Sequence, residues 1–246
     1  MRAESDAALT DAAGTVHRPA DGEVRIVSLV PSLTELVCDL GLAERLVGRT
    51  GFCIHPRETL RAIPKMGGTK DVKLDAVRAL APTHLIVNID ENRRETVEEL
   101  AAFVPHVIVT HPNAPEDNPA LYRLFGAVFH RRDQAERLAA DFAAALAEAH
   151  AVRAELPPED VLYLIWREPW MTVGRGTYIA ATLAAVGWQT SPTRVAAKGR
   201  RATRRWIGRR PGSAAWRGCS CPPNPTASAK ATWRKYRLWP AAGRRR

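Results

Sequence analysis

The chain has 246 residues, of which 46% are hydrophobic and 25% charged, and no run approaches the ~18 apolar residues of a transmembrane helix, which excludes such a helix. The formal net charge is +10. Of the 36 Lys and Arg residues, 16 lie in residues 191–246, which contain no Asp or Glu. The other 190 residues carry 20 basic and 26 acidic side chains, a net charge of −6. The body of the chain is acidic, and its basic excess is confined to the tail.

The basic tail, residues 191–246, allows two interpretations. Its tryptophans lie among arginines, a combination that suits phosphates and exposed bases, so the tail can be a nucleic-acid-binding arm. Its composition is also that of GC-rich codons, and apolar periodicity stops near Gln189, as a shifted reading frame in a GC-rich gene would produce. We favour the shifted frame, expect a disordered tail, and expect no nucleic-acid partner unless the tail is genuine. The tryptophans are Trp206, Trp216, Trp233 and Trp239.

The amino-terminal segment, residues 1–23, is polar and mixes small with charged side chains. It lacks the roughly 7–15-residue apolar stretch of a secretory signal, so we predict a disordered arm and, if Met1 is the true start, a cytoplasmic protein. Cys38 falls in a predicted helix and Cys53 in a loop. Because the chain has no paired CxxC motifs with metal-ligand spacing, we expect no structural zinc site.

Residues 24–115 alternate short apolar runs with helical patterns, which predicts βαβ units and a parallel sheet. The first run is the strand 25–30, and Ser32 with Glu35 then makes a capping-box pattern, which predicts a helix with Ser32 as N-cap. Further strands are predicted at 84–88 and 106–110, with a helix over 91–103 between them. We expect this segment to form one α/β lobe.

Residues 116–156 form a long helical pattern with a possible bend at 129–133, and we expect this helix to connect two lobes. A strand over 161–166 and a helix over 178–186 then begin a second lobe, residues 157–190. Because the pattern stops at the basic tail, we expect this second α/β lobe to be incomplete.

Five stretches, in this order and spacing, resemble the cobalamin-binding, Fe/B12-type substrate-binding proteins of ABC importers, also called the helical-backbone metal-receptor group. The resemblance covers residues 24–190. It implies an α/β fold of two Rossmann-like lobes with parallel sheets, joined by a rigid backbone helix as in class III periplasmic binding proteins. The stretches are Arg25-Ile-Val-Ser-Leu-Val-Pro-Ser-Leu-Thr-Glu35, Val47-Gly-Arg-Thr50, Ile63-Pro-Lys-Met-Gly-Gly68, Leu74-Asp-Ala-Val-Arg-Ala-Leu-Ala-Pro-Thr-His-Leu-Ile-Val87 and Trp170-Met-Thr-Val-Gly174.

The resemblance implies a monomeric receptor that holds a metal chelate, either a cobalamin-like corrinoid, haem or a ferric siderophore, in the cleft between its lobes. It implies a periplasmic location, an ABC-transporter permease as partner, no intrinsic cofactor and no catalysis. The chain has no G-x-S-x-G, P-loop or G-x-G-x-x-G motif, which also argues against an enzyme. The alternatives are a cytoplasmic metal-chelate binder on the same scaffold, and nucleic-acid binding through the tail.

The resemblance also implies which residues line the ligand cleft. Phe52 and His55 match a loop whose aromatic side chains pack on the ligand, although a lone histidine is more often a surface residue. Thr69 stands where relatives can have an aromatic residue, and Lys70 beside it can pair with an acidic group of the ligand. The second lobe would contribute Trp166, Arg167 and Trp170, unless Trp166 belongs to the core.

A polar cluster follows the strand 84–88 and falls at the mouth of the expected cleft. Asn88 and Glu91 are its candidate ligand contacts, with Asp90 and Asn92 beside them, and an N-cap cluster for the following helix is the alternative. Asp75 matches the carboxylate that relatives present to arginines of the transporter. The alternative for Asp75 is a favourable charge in a first helical turn.

Overall fold

A computed structural model describes residues 9–166, 171–190 and 203–205, with the backbone alone for Trp166 and for 203–205. The elements belong to one compact unit, Met1–Trp206; the unit Ile207–Arg246 lies outside the described residues. The strands are β1 (Ile26–Ser28), β2 (Leu46–Arg49), β3 (His84–Asn88), β4 (His106–Thr110), β5 (Glu159–Val161), β6 (Leu164–Trp166), β7 (Met171–Val173), β8 (Trp188–Thr190) and β9 (Thr203–Arg205). The helices are α1 (Pro31–Asp39), α2 (Arg57–Leu60), α3 (Leu74–Ala79), α4 (Arg94–Ala101), α5 (Asn118–Val128), α6 (Arg132–Glu155) and α7 (Tyr178–Ala185), with short 3₁₀ turns at Ala43–Arg45 and Pro115–Asp117.

The first lobe is built on a four-stranded parallel sheet, as the alternating pattern predicts. The strand order in this sheet is β2-β1-β3-β4. Its central strands are apolar on both faces because helices cover both faces. Ile26 packs in a core cluster shared with α1 and α5, whereas its neighbour Val27 packs on the opposite face against α3 and α4. This alternation places two apolar layers around one sheet.

Helix α1 begins differently from the prediction. Its N-cap is Val30, Pro31 is the first helical residue, and the cap makes no side-chain hydrogen bond. Proline suits this position because its φ is already helical and it has no N–H to leave unpaired. The Ser32–Glu35 capping box is therefore wrong, since Ser32 lies inside the first turn.

The amino-terminal arm is not disordered over residues 9–23. Strand β4 is the edge of the sheet, and the arm pairs with it: the Val109 N–H donates to Asp11 Oδ2 at 3.0 Å, and the Ala12 N–H donates to the Val109 carbonyl at 2.9 Å. The buried Asp11 carboxylate also lies 3.0 Å from Nε2 of His17. The prediction failed here because an exposed sheet edge needs a partner, and the arm supplies it.

The predicted connecting helix over 116–156 is two helices, with the break falling in the bend foreseen at 129–133. His130 has a left-handed φ of 54°, and α5 folds back on α6. A Cβ on Gly126 would lie 2.5 Å from Cβ of Ala135, so glycine allows the close approach. Helix α6 alone has 24 residues and spans about 36 Å.

The second lobe departs from a single parallel sheet. Strands β5 and β8 pair in parallel, whereas β6, β7 and β9 form an antiparallel sheet, so the strand predicted over 161–166 is two strands in different sheets. Thr203–Arg205, in the tail predicted to be disordered, form β9, and the rest of the tail lies outside the described residues. Asn118 Nδ2 donates to the Tyr178 hydroxyl at 2.7 Å and ties α5 to α7. In the described part of the chain, no helix is long and apolar enough to cross a membrane.

His84 is a buried titratable group in the first lobe. It is 4% exposed, its ring stacks on that of His106 with centroids 4.8 Å apart, and Thr83 Oγ1 lies 2.8 Å from its Nδ1. The pKa of His84 is lowered to about 4, mainly by burial and also by the nearby His106 and His17. The folded protein therefore favours the neutral imidazole.

We predict that the free energy of unfolding falls as the pH is lowered from about 6.5 to about 4, because the unfolded chain then binds a proton that folded His84 does not. The contribution of His84 is about 3 kcal/mol. Urea unfolding across this pH range should show a smaller fall for His84→Gln than for the wild type. His55→Gln, at an exposed site, is the control, and an equal fall in both variants would contradict the prediction.

Candidate functional site

Three loops meet at the carboxyl edge of the first-lobe sheet. The Phe52 loop (50–56) follows β2, and the Asn88 loop (88–93) starts at the end of β3. The Thr69 loop (67–72) follows Lys65, which bridges in parallel to Arg49, so it leaves at the same edge. In open parallel sheets, ligands bind in the crevice outside this edge. The structure thus brings together the three loops that carry the six expected first-lobe ligand contacts.

The Phe52 loop presents apolar side chains outward. Phe52 is 64% exposed and Ile54 is 59% exposed, whereas Cys53 between them is fully buried. A Cβ on Gly68 would lie 3.4 Å from Cε2 of Phe52, so the phenyl ring reaches the Thr69 loop. His55 is exposed as well. Ile54 was not among the predicted contacts.

The Thr69 loop is fixed by its neighbours. Gly67 has a φ of 98°, and a Cβ there would lie 2.2 Å from the Asp71 carbonyl oxygen, so only glycine fits. The half-buried Thr69 offers its carbonyl to Asn92. The Lys70 ammonium donates to the Asp90 carbonyl at 2.6 Å and retains further donors for a ligand.

The Asn88 loop is a side-chain-stabilised turn. Asn88 Oδ1 accepts hydrogen bonds from the Asp90 N–H at 2.8 Å and the Glu91 N–H at 3.3 Å. The N-cap alternative is wrong, because Arg93 is the N-cap of α4 and makes no side-chain cap. Glu91 is exposed, and Ile89 is 50% exposed, an exposed apolar side chain that the sequence interpretation did not single out.

Asn92 joins the three neighbouring segments. Its buried amide donates to the carbonyls of Leu29 at 3.3 Å and Thr69 at 3.0 Å, and its Oδ1 accepts from the Asn88 N–H at 2.9 Å. These bonds tie the end of β1 to the Thr69 and Asn88 loops. The sequence placed Asn92 in the polar cluster but did not show that its role is structural.

The structure describes the remaining predicted site residues only in part. Trp166 ends β6, with its side chain outside the described residues, and Arg167 and Trp170 lie outside them altogether. Asp75 is exposed in the first turn of α3. Within residues 9–166 and 171–190, no group of three His, Cys, Asp or Glu side chains is placed to hold a metal ion.

A cavity of about 390 Å³ lies beyond the edge of β4, between the arm, the end of that strand and α5. It contains none of the predicted contacts, and its charged residues are engaged: Asp117 accepts from the Asn113 and Ala114 N–H groups, and Arg123 pairs with Glu136 at 2.8 Å. The three linked loops are therefore the stronger candidate site.

Residues 26–193 match the family of periplasmic binding proteins. The chain belongs to this family. The match covers more than half of the chain, and it confirms the resemblance drawn from the sequence. Because the family and its relatives are binding proteins, it also confirms that this chain is a binding protein rather than an enzyme.

Curated relatives of this periplasmic binding protein are vitamin B12-binding proteins. The one from Pectobacterium carotovorum is 26% identical over 118 residues, which cover 48% of this chain and 42% of the relative. The one from Photorhabdus laumondii is 21% identical over 164 residues, 67% of this chain and 59% of the relative. The chain thus spans about half the length of the curated relatives it matches.

Solved structures confirm the fold class. The periplasmic heme-binding protein of Roseiflexus sp. RS-1 is 28% identical, with a TM-score of 0.62 over 68% of this chain and 65% of that chain. The periplasmic vitamin B12-binding protein of Vibrio cholerae is 17% identical, with a TM-score of 0.63 over the same shares, and shows the likeness of fold alone.

We predict that Asn92→Ala lowers the free energy of unfolding by about 3 kcal/mol, because the variant leaves three backbone groups without their partner. Asn92→Asp keeps the acceptor for the Asn88 N–H but sets a carboxylate against two carbonyls, so it should be at least as destabilised. Urea unfolding measures both. Asn113→Ala, whose exposed side chain donates to His111, is the control, and a loss for Asn92→Ala no larger than for this control would contradict the prediction.

Proposed function

We propose that this periplasmic binding protein captures a metal chelate, a cobalamin-like corrinoid or haem, in the cleft at its three linked loops and delivers it to the permease of an ABC importer. The observation that carries the proposal is the outward presentation of Phe52, Ile54 and Ile89 at the carboxyl edge of the sheet. Large apolar side chains at the surface of a binding edge suit a broad, flat ligand.

The chemistry of these loops suits a macrocycle. The Phe52 ring can pack on a macrocycle face, and the His55 imidazole can coordinate its metal or donate a hydrogen bond. The remaining donors of Lys70 can pair with a ligand carboxylate. The names of the relatives support both haem and vitamin B12 as candidates, and a ferric siderophore is a third member of the same ligand class.

The second lobe and the transporter complete the proposal. Trp166, Arg167 and Trp170 would face the ligand from the second lobe, where indole and guanidinium groups suit a flat conjugated ring. Asp75, exposed on α3, would meet a basic residue of the permease. We propose that the receptor acts as a monomer and performs no bond-making step.

Titration of the purified full chain with haemin and with cyanocobalamin, followed by tryptophan fluorescence, tests this function. We predict saturable binding of at least one probe and a roughly tenfold weaker affinity for Phe52→Ala, because the variant removes an aromatic contact. Val16→Ala removes an equally exposed apolar side chain from the arm and should not change affinity. No saturable response, or equal effects of the two variants, would contradict the proposal.

A further inference from the structure

We propose that Arg49 is the positioning residue that holds the Phe52 loop in its ligand-ready conformation, an inference that rests on the proposed function. Arg49 ends β2 and is only 5% exposed. Its hydrogen bonds all go to backbone carbonyls, and because it is buried it acts from beneath the loop. Arg49 lies in the stretch Val47–Thr50 that carries the resemblance, but the resemblance gave it no role.

The guanidinium of Arg49 binds three carbonyl groups. Its Nε donates to the Leu60 carbonyl at 3.0 Å, and its Nη1 donates to the carbonyls of Cys53 at 2.8 Å and Thr50 at 3.2 Å. These acceptors lie at the start, the middle and beyond the end of the loop. A planar guanidinium holds its donors in a fixed fork, so this one side chain ties the loop to β2 at Thr50 and Cys53 and also holds the end of α2 at Leu60.

The Arg49 guanidinium is hydrogen-bonded to carbonyl groups rather than paired with a carboxylate. Among the described residues, no ion pair joins Arg49 to a carboxylate. A buried cation is costly unless its donors are satisfied, and here backbone carbonyls accept from Nε and Nη1. The loop conformation and the burial of the guanidinium therefore depend on each other.

Cys53, in the middle of the loop, is also held through its side chain. The Cys53 thiol lies 3.1 Å from the hydroxyls of both Thr34 and Thr50. With the Cys53 carbonyl held by Arg49, this residue is turned inward at both its backbone and its side chain. The residues on either side of it, Phe52 and Ile54, are exposed.

An anchor of this kind has a consequence for binding. Exposed aromatic and aliphatic side chains on an untethered loop would collapse onto nearby apolar surface, and the ligand would have to reorder them. A loop already held in the binding conformation avoids that ordering cost. Loss of the anchor should therefore weaken ligand binding even where the fold survives.

Two variants of the full chain test the proposal. Arg49→Met removes every donor but keeps the apolar stem, and Arg49→Lys keeps the charge without the fork. Arg45→Met, at an exposed position on the same segment, is the matched control. Hydrogen exchange of residues 50–60 is compared with that of residues 84–110, and affinities for haemin and cyanocobalamin are measured on the same samples.

We expect Arg49→Met to raise exchange selectively in residues 50–60 and to weaken binding roughly tenfold, with Arg49→Lys intermediate and Arg45→Met unchanged. If Arg49→Met does not fold, Arg49→Lys still tests the proposal. The proposal is overturned if Arg49→Met leaves hydrogen exchange in residues 50–60 unchanged, or if it raises exchange equally in residues 84–110. It is also overturned if exchange in the loop rises but the affinity for the probes is unchanged. If the wild type binds neither probe, the proposed function fails, while the exchange data still decide whether Arg49 anchors the loop.

Discussion

The parallel pairing of β2, β1, β3 and β4 is the constraint on which the site depends. Because these strands run in one direction, the segments that follow them leave from one edge, whatever their sequence separation. Phe52 and Asn88 therefore come together although 36 positions separate them in the chain. The same pairing leaves β4 as an unpaired edge, which the arm covers. The strand pairing thus explains both where the candidate site lies and why the edge strand β4 needs the arm as a partner.

Two buried polar side chains convert this edge into a defined surface. Asn92 links the Thr69 and Asn88 loops to β1, and Arg49 ties the Phe52 loop to β2. Both satisfy backbone groups that a buried loop would otherwise leave unpaired. Their removal affects several backbone groups at once, which makes them more consequential than the exposed side chains they support. Rigid loops beneath exposed apolar side chains are what a receptor for a broad ligand requires.

The first-lobe strands and their order along the chain could be predicted, because short apolar runs and turn residues are local signals, and the edge that carries the candidate site follows from their parallel arrangement. The role of Asp11 could not, since its partner Val109 is 98 positions away and becomes available only once β4 forms the sheet edge. The bend at 129–133 was foreseen, but the close approach of α5 and α6 that Gly126 allows beside Ala135 was not. The role of Arg49 could not be predicted either. Its acceptors are backbone carbonyls, which every residue has, so the sequence does not identify its partners.

The most direct test of the site is hydrogen exchange of the full chain with and without saturating haemin or cyanocobalamin. If the three loops form one ligand surface, the bound probe should protect residues 50–56, 67–72 and 88–93 together and leave the arm, residues 9–20, unchanged. Protection confined to the arm and to residues 109–124 around the other cavity, or to one loop alone, would contradict a ligand site at the carboxyl edge of the sheet.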